Sequence, residues 1–246
     1  MALDLEKLRV SKGDRTILSD LDLHLSPGSV TAVLGANGAG KSELVLAMAG
    51  MLPITAGRMM LDGQDLTGKG PDAIRAAGIA AVPEGHRVLT KLSVDDNLRA
   101  AGSLLRDGLD QTLDDTYALF PELAERKGQL AGTMSGGQQQ MLALGHAMMC
   151  RPRYLLIDEM SLGLAPLVVK RLMRFVTDLK DRGVGILLIE QFTDMALSIS
   201  ENAFVLRGGI IRYSGRAENL LSDPALLDRA YFGLEAAERG AKLEAH

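Results

Sequence analysis

The stretch Gly35-Ala36-Asn37-Gly38-Ala39-Gly40-Lys41-Ser42 limits what this chain can fold into more than any other part of it. It follows Val30-Thr31-Ala32-Val33-Leu34, an apolar, β-branched run that reads as a buried strand. It precedes Leu44, Val45, Leu46 and Met48, which recur at helical spacing. Strand, glycine-rich turn and helix fit the phosphate-loop pattern G-x-x-x-x-G-K-[ST] at every specified position. The residue types follow from the chemistry. Glycines let backbone N–H groups curl around phosphate oxygens, and the helix adds the positive end of its dipole. Lys41 is then placed for terminal phosphates and the Ser42 hydroxyl for Mg²⁺, so a nucleoside triphosphate is the expected ligand.

The rest of the chain reads as an α/β fold around this loop. Residues 3–34 read as β, with Leu21, Leu23 and Leu25 alternating with Asp22 and an exposed His24, before Ser26-Pro27-Gly28 turns the chain. Gly50 and Pro53 end the helix after the loop. A strand over Arg58–Leu61 turning at Asp62-Gly63, a short helix over Pro71–Ala77 and a buried strand over Ile79–Val82 follow. Between 93 and 150 strand signals cease. Leu98, Leu104, Leu105, Leu109, Leu113, Tyr117, Leu119 and Phe120 fall at mixed helical spacing, which predicts an inserted helical subdomain. Alternation then resumes with a strand over Tyr154–Ile157, a helix over Leu167–Arg182 and a strand over Val184–Ile189. A hairpin of Ala203–Leu206 and Ile210–Tyr213 turns at Gly208-Gly209, and short helices lie near Ala217–Leu221 and Ala225–Tyr231. The expected organisation is one domain over residues 1–235. Its core and an antiparallel β subdomain come from 1–92 and 151–235, the helical subdomain is 93–150, and 236–246 is a frayed tail ending at His246.

Composition narrows the function. With 246 residues, 47% of them hydrophobic, the chain can bury a core. Aromatics make up only 4% with no Trp, which argues against a base-stacking surface. The net charge of −4 argues against a basic field, so nucleic acid is not an expected partner. The single Cys150 excludes an internal disulfide and, beside Met148 and Met149, reads as a packed thiol. No His/Cys cluster has metal-ligand spacing. There is no secretory-type leader and no apolar run of the roughly 20 residues that span a bilayer. The expectation is a soluble, cytoplasmic chain whose membrane role, if any, comes through a partner.

Two further motifs carry chemistry. Leu155-Leu156-Ile157-Asp158-Glu159 is an apolar strand delivering two carboxylates at its end, where open α/β sheets place ligands. There Asp158 is suited to hold Mg²⁺, and Glu159 to polarise an attacking water at the γ-phosphate. Met134-Ser135-Gly136-Gly137-Gln138 precedes a helical run with Met141, Leu142, Leu144 and Ala147. Ser135 can cap that helix, and Gly136 and Gly137 let a phosphate approach its N-terminus. One phosphate-loop domain has no use for a second such cradle unless it closes over a nucleotide held by another copy.

These three motifs, in this order, resemble the ATP-binding-cassette (ABC) proteins, and the likeness runs from about Leu3 to Leu234. The resemblance implies ATP and Mg²⁺ as cofactors, with Gly35 to Glu43 and Lys12 around the nucleotide. Lys41, Glu159 and Gln191 become the reacting groups, and Ser42, Glu84 and Asp158 the metal side. It also implies a head-to-tail dimer in which Ser135, Gly136, Gly137 and Gln138 of one subunit face the phosphate loop of the other. Val82-Pro83-Glu84-Gly85 looks like the loop joining core to helical insertion, and Ser161-Leu162-Gly163-Leu164-Ala165-Pro166 like the loop through which subunits communicate. With Ile189-Glu190-Gln191 and Ala230-Tyr231-Phe232-Gly233, the set is similar to the second ATPase subunit of bacterial branched-chain (hydrophobic) amino-acid importers. Urea and short-amide importers stand close by. The implied partners are a second ATPase subunit, two membrane-spanning permease subunits and, indirectly, a periplasmic solute-binding protein. The implied place is the inner face of the plasma membrane. A lipopolysaccharide-export ATPase and a non-transport cassette are the competing readings. Gln191 argues against the first, and the lack of a coiled-coil insertion or second cassette argues against the other.

Several residues depart from the pattern. Lys12 stands where an aromatic usually stacks on adenine, Glu43 where Thr or Ser usually touches the α-phosphate, and Met160 where Pro usually follows the acidic pair. Glu84 replaces a Gln, and Gln191 replaces the switch histidine. Gln191 can donate to a γ-phosphate but cannot titrate near neutral pH. His86 and His146 read as surface or packing substitutions. Val88, Leu89 and Leu92, in the stretch Glu84 to Val94, are either anchors for a permease helix or ordinary core residues.

Overall fold

Strands that carry unbroken apolar runs need cover on both faces, and the computed structural model supplies it. The structure describes residues 2–85 and 88–233. His86, Leu234, the 236–246 tail and its terminal His246 lie outside the described residues. β3 (Val30–Leu34), β7 (Tyr154–Asp158) and β8 (Gly185–Ile189) are buried at every position. With β6 (Ile79–Val82), β9 (Asn202–Arg207) and β10 (Ile210–Arg216) they form one sheet in the order β10-β9-β3-β8-β7-β6. All neighbours pair in parallel except β10, which returns antiparallel from the Gly208-Gly209 turn. Val33 and Asp158 both register with Ile189, so β3, β7 and β8 end together along one edge of the sheet.

A second, antiparallel sheet has the order β2-β1-β4-β5, built from β1 (Leu3–Lys12), β2 (Arg15–Leu25), β4 (Ile54–Leu61) and β5 (Gln64–Asp65). The helix after the phosphate loop, α1 (Lys41–Met48), lies between the two sheets. Its Leu44, Val45 and Met48 join Leu5 and Leu23 on one side and Val33, Leu187 and Ile189 on the other in one apolar cluster. The opposite face of the parallel sheet is covered by the later helices. Ala32, Leu155, Ile157 and Leu188 pack there with Leu98, Leu142 and Leu144 and with Leu172 and Val176.

The expected strand at Arg58–Leu61 is longer, because β4 begins at Ile54. Gly57 hides its first half: it sits at φ +82 against the Lys7 and Glu6 carbonyls, where a Cβ has no room, and the β1–β4 register shifts there. Two elements have no expectation to match. They are the two-residue β5, and α8 (Thr193–Ser198), a six-residue helix too short to show a period. The helix α2 (Pro71–Ala76) starts at its proline as expected.

Between β6 and β7 the described residues form helices with a single β-bridge, Ser93 to Leu130. These are α3 (Val94–Ala101), α4 (Leu109–Leu119), α5 (Pro121–Ala124) and α6 (Gly136–Met148), followed beyond β7 by α7 (Pro166–Asp181). Ser93 caps α3 by accepting from the Asp96 N–H. Asn97, fully buried on α3, is the tie for the segment before it. Its Oδ1 accepts from the Leu89 N–H at 2.8 Å, and its Nδ2 donates to the carbonyls of Leu89, Leu92 and Ser93. His146 of α6 meets the same Oδ1 at 3.1 Å through Nε2. Because that oxygen is an acceptor, Nε2 is the protonated nitrogen of a neutral ring. Cys150 is a packed thiol, its sulfur receiving Arg75 at 2.9 and 3.2 Å. After α8 the chain closes with α9 (Ala217–Ser222) and α10 (Pro224–Phe232).

Burial, then the neighbouring Arg75 charge, pushes His146 down from 6.5 to about 4. Between those values the unfolded chain binds a proton that the native chain refuses, so this residue makes stability fall as pH drops from 6.5 toward 4. His146→Gln keeps an N–H for Asn97 and cannot titrate. In urea titrations the wild type should lose about 3 kcal/mol relative to this variant across that window, with no further change above pH 7. Parallel pH curves for the two proteins would show that His146 titrates normally.

Candidate nucleotide site

The loop between β3 and α1 turns on three glycines with positive φ: Gly35 (+147), Gly38 (+77) and Gly40 (+104). Two are forced by contact. A Cβ on Gly35 would strike the Leu206 carbonyl of β9, and one on Gly40 would strike Leu18 of β2. Gly38 faces open space, so its side is where a ligand's oxygens can meet the backbone. Gly40 is the left-handed N-cap of α1 and offers no side-chain cap, which leaves the first N–H groups of that helix available. Lys41 is buried, and its ammonium donates to the carbonyls of Gly35 (2.8 Å) and Ala36 (3.2 Å).

A recess of about 330 Å³ opens over this loop, lined by Asn37, Gly38, Gly40, Lys41, Ser42, Glu43, Glu84, Glu159, Leu162 and Gln191. The sheet edge explains the gathering. β7 ends at Asp158 and β8 at Ile189, so Glu159 and Gln191 emerge side by side next to the loop that follows β3. Glu159 holds a left-handed backbone (φ +48) and donates its N–H to the Ile189 carbonyl at 2.9 Å. Such a conformation is uncommon for a residue with a Cβ and collects at functional sites. Asp158 is buried beneath the recess. Burial raises its pKa, while a hydrogen bond from the Ser42 hydroxyl pulls it back. Its Oδ1 has no protein partner.

The expected residues therefore divide. Lys41, Ser42, Glu84, Glu159 and Gln191 share one recess, with Asp158 bonded to Ser42 at its floor. Gly35 and Ala39 face the sheet. Glu43 lines the same recess and so is not turned out of it. Lys12 is exposed at the β1–β2 turn, opposite Arg15, and is not among the lining residues. Ser135 and Gly136 are exposed at the start of α6, and none of Ser135 to Gln138 lines the recess. Ser135 does cap α6: it accepts from the Gln138 N–H, while the Gln138 side chain accepts from the Ser135 N–H at 3.0 Å. Gly137 is small for a local reason, since a Cβ there would crowd Val168 of α7.

Two residues at the site carried no functional expectation. Tyr231 of α10 accepts from the Gly35 N–H at 3.2 Å and lies 3.3 Å from the Thr193 hydroxyl. Glu190, the residue before Gln191, is buried and receives the Ser161 hydroxyl. Both stood inside quoted motifs. Their partners are 196 and 29 residues away in sequence, and no local spacing marks such pairs.

A phosphate loop at the carboxyl edge of a buried parallel sheet defines a phosphate-loop nucleotide-binding protein. The family model described as ABC transporter matches residues 18–161, more than half of the chain, and the chain belongs to that family. The high-affinity branched-chain amino acid transport ATP-binding protein BraG of Pseudomonas aeruginosa is 38% identical over 232 residues, covering 94% of this chain and 99% of its own. A probable branched-chain amino acid transport ATP-binding protein, LivF of Archaeoglobus fulgidus, is 34% identical over 87% of this chain and 92% of its own. The lipopolysaccharide export system ATP-binding protein LptB of Escherichia coli K12 is 28% identical over 89% of this chain and 92% of its own. Among solved structures, a nucleotide-free ATP-binding cassette from an ABC transporter superposes with a TM-score of 0.81 at 25% identity, covering 93% of this chain and 98% of that one. Both sheets and the helical segment are those of an ABC ATPase fold.

Tyr231→Phe keeps the ring and removes both hydroxyl contacts. Urea unfolding should show a loss of about 1 kcal/mol. Amide exchange at Gly35 should speed up. Unchanged exchange there would remove Tyr231 from the support of the loop.

Proposed function

We propose that this chain is the ATP-hydrolysing motor subunit of an importer for branched-chain or other hydrophobic amino acids. The observation that carries the reading is the meeting of Lys41, Ser42, Glu84, Glu159 and Gln191 in one recess of a chain that is 38% identical to BraG over 94% of its length. The likeness to LptB supports lipopolysaccharide export as a second reading. Its lower identity and Gln191 in the switch position weigh against it.

In the proposed reaction the phosphates of ATP lie along the backbone N–H groups of Gly38, Gly40 and Lys41 at the N-terminus of α1. Lys41 exchanges its carbonyl partners for terminal phosphate oxygens. Asp158 and the Ser42 hydroxyl form a hard-oxygen pair with one buried acceptor unspent, and Glu84 adds a third oxygen donor from across the recess. That donor set fits Mg²⁺. Bound there, the ion would neutralise charge on the phosphates. Glu159 takes the proton of the attacking water. Gln191 donates its amide to the γ-phosphate and holds no proton to give, which leaves Glu159 as the sole base.

Ser135 to Gln138 serve a partner. They are capped, they stand at the N-terminus of a thirteen-residue helix, and they lie outside their own chain's recess. In the proposed dimer each such helix end closes over ATP held by the other subunit, a second copy or a related ATPase, and hydrolysis reopens the pair. Among the described residues no helix is long and apolar enough to cross a membrane. The proposed location is therefore peripheral, on the cytoplasmic face, held by two permease subunits and served indirectly by a periplasmic solute-binding protein. The docking place is the groove of about 340 Å³ lined by Met51, Pro83, Leu89, Ala100 and Ala147. Leu89 and Leu92 are 49% and 37% exposed, which favours anchors over core, whereas Val88 packs against the core.

Glu159→Gln should bind Mg-ATP at least as tightly as the wild type and lose turnover by about a hundredfold or more, measured as phosphate release beside calorimetric titration. Undiminished hydrolysis would overturn the assignment of the base. Leu89→Glu should retain basal hydrolysis and abolish uptake of labelled leucine in vesicles carrying the assembled transporter. Loss of basal hydrolysis would return Leu89 to the core.

A further inference from the structure

The β7–β8 ladder stops at Asp158 opposite Ile189, and its last backbone bond runs from the Glu159 N–H to the Ile189 carbonyl. Both strands then continue into the recess, one through Glu159 and the other through Gln191. Beyond this point one side-chain pair joins them. The Ser161 hydroxyl donates to Glu190 Oε2. Serine and glutamate are 1% and 2% exposed.

A buried carboxylate at this place is costly. Burial raises Glu190 to about 7, against the pull of the Ser161 hydroxyl and of the Ser161 and Gln191 N–H groups, and the Glu159 charge raises it further. An apolar residue would fill the space without that cost, and the side chain still leaves Oε1 without a hydrogen-bond partner. What Glu190 accomplishes is geometric. Ser161 begins the loop to α7, closed by a turn from the Leu164 N–H to the Ser161 carbonyl, and Leu162 of that loop lines the recess.

We propose that Glu190 and Ser161 are a positioning pair that extends the β7–β8 register past the end of the sheet, fixing Glu159 relative to Gln191 and making both move with the 161–165 loop. The proposal rests on the ATPase reading above. It adds that a residue touching neither phosphate nor water sets the alignment of those that do. A shift of an ångström between a base and its phosphate partner is enough to cost turnover while leaving nucleotide binding intact.

The test uses the full chain as Glu190→Ala, Glu190→Gln, Ser161→Ala and the Glu190→Ala/Ser161→Ala double variant. Each alanine variant should lower kcat by about tenfold or more with the Kd for Mg-ATP within about twofold. The double variant should be no slower than Glu190→Ala, because that change already removes the hydroxyl contact that Ser161→Ala deletes. Glu190→Gln should recover most of the activity, since its amide oxygen accepts the same hydroxyl. Losses that multiply in the double variant, or a Kd that weakens in step with kcat, would overturn the pairing. Hydrogen exchange supplies a readout independent of hydrolysis: residues 159–165 should exchange faster in both single variants, and at least as fast in Glu190→Ala as in Ser161→Ala, with the phosphate loop unchanged. Unaltered exchange at 159–165 refutes the proposal even where hydrolysis falls. A wild-type chain that binds ATP without turning it over refutes the ATPase reading instead, and the exchange arm still decides the pair. Ser161→Ala is a minimal change that keeps the test open should Glu190→Ala fail to fold.

Discussion

At Gly35 the chain leaves the sheet with no room to spare. Leu34 is still paired to Val205 in the parallel ladder, and the next residue must pass the Leu206 carbonyl where a Cβ would collide with it. The φ of +147 that this requires is open to glycine and to little else. Much else follows from that passage. The loop is thrown back over the end of β3, and its first carbonyls turn inward to hold the Lys41 ammonium. α1 is aimed between the two sheets. Gly40 then rests on Leu18 of the antiparallel sheet, and Gly209 passes its N–H to Ala39 and its carbonyl to Ser19. Two backbone hydrogen bonds and the seat of Gly40 on the Leu18 side chain thus lock the phosphate loop, the β9–β10 turn and β2 together.

Such constraints leave marks in a sequence when they act over a few residues. The runs that became β3, β7 and β8 were readable because burial on both faces demands a continuous apolar string. The phosphate loop was readable because its glycines answer to steric demands at fixed spacing. Ser135 was readable as a cap because a capping box spans four residues. Gly57 misled for the complementary reason. It breaks the strand pattern of β4, yet its purpose is a close approach to β1, fifty residues earlier, and that approach keeps the strand continuous.

The residues that steady the site were not readable, because they act across the fold. Tyr231 reaches the Gly35 N–H from α10, near the end of the described chain. Glu190 finds Ser161 because two parallel strands end side by side, a fact about sheet order and not about spacing. Asn97 and His146 form a similar tie in the helical segment, where one buried amide holds the stretch that carries Leu89 and Leu92. These ties share a design. Each is a buried or half-buried polar pair at the mouth of a functional surface, and each fixes a loop that would otherwise have only its ends for support. Buried polar pairs add little net stability but permit one arrangement in place of several.

The electrostatics of the recess set the conditions for the proposed chemistry. Glu43, Glu84 and Glu159 line it with Lys41 as the one cationic side chain among its lining residues, and Asp158 lies below. A triphosphate entering by itself meets more negative than positive side-chain charge, so side chains alone cannot account for binding. The compensation has to come from groups without a formal charge or from outside the chain. Backbone N–H groups of the loop and the α1 dipole provide the first. In the proposed function, a divalent cation on the Ser42–Asp158 side would provide a second contribution, and the N-terminus of a partner's α6 a third. Glu43 sharpens the requirement, since it adds a carboxylate where the family pattern has a neutral hydroxyl. On this argument tight nucleotide binding and partner closure are linked in the proposed dimer. By the same charge count, a bare triphosphate would be held less tightly than one that arrives with a metal and meets the proposed second subunit.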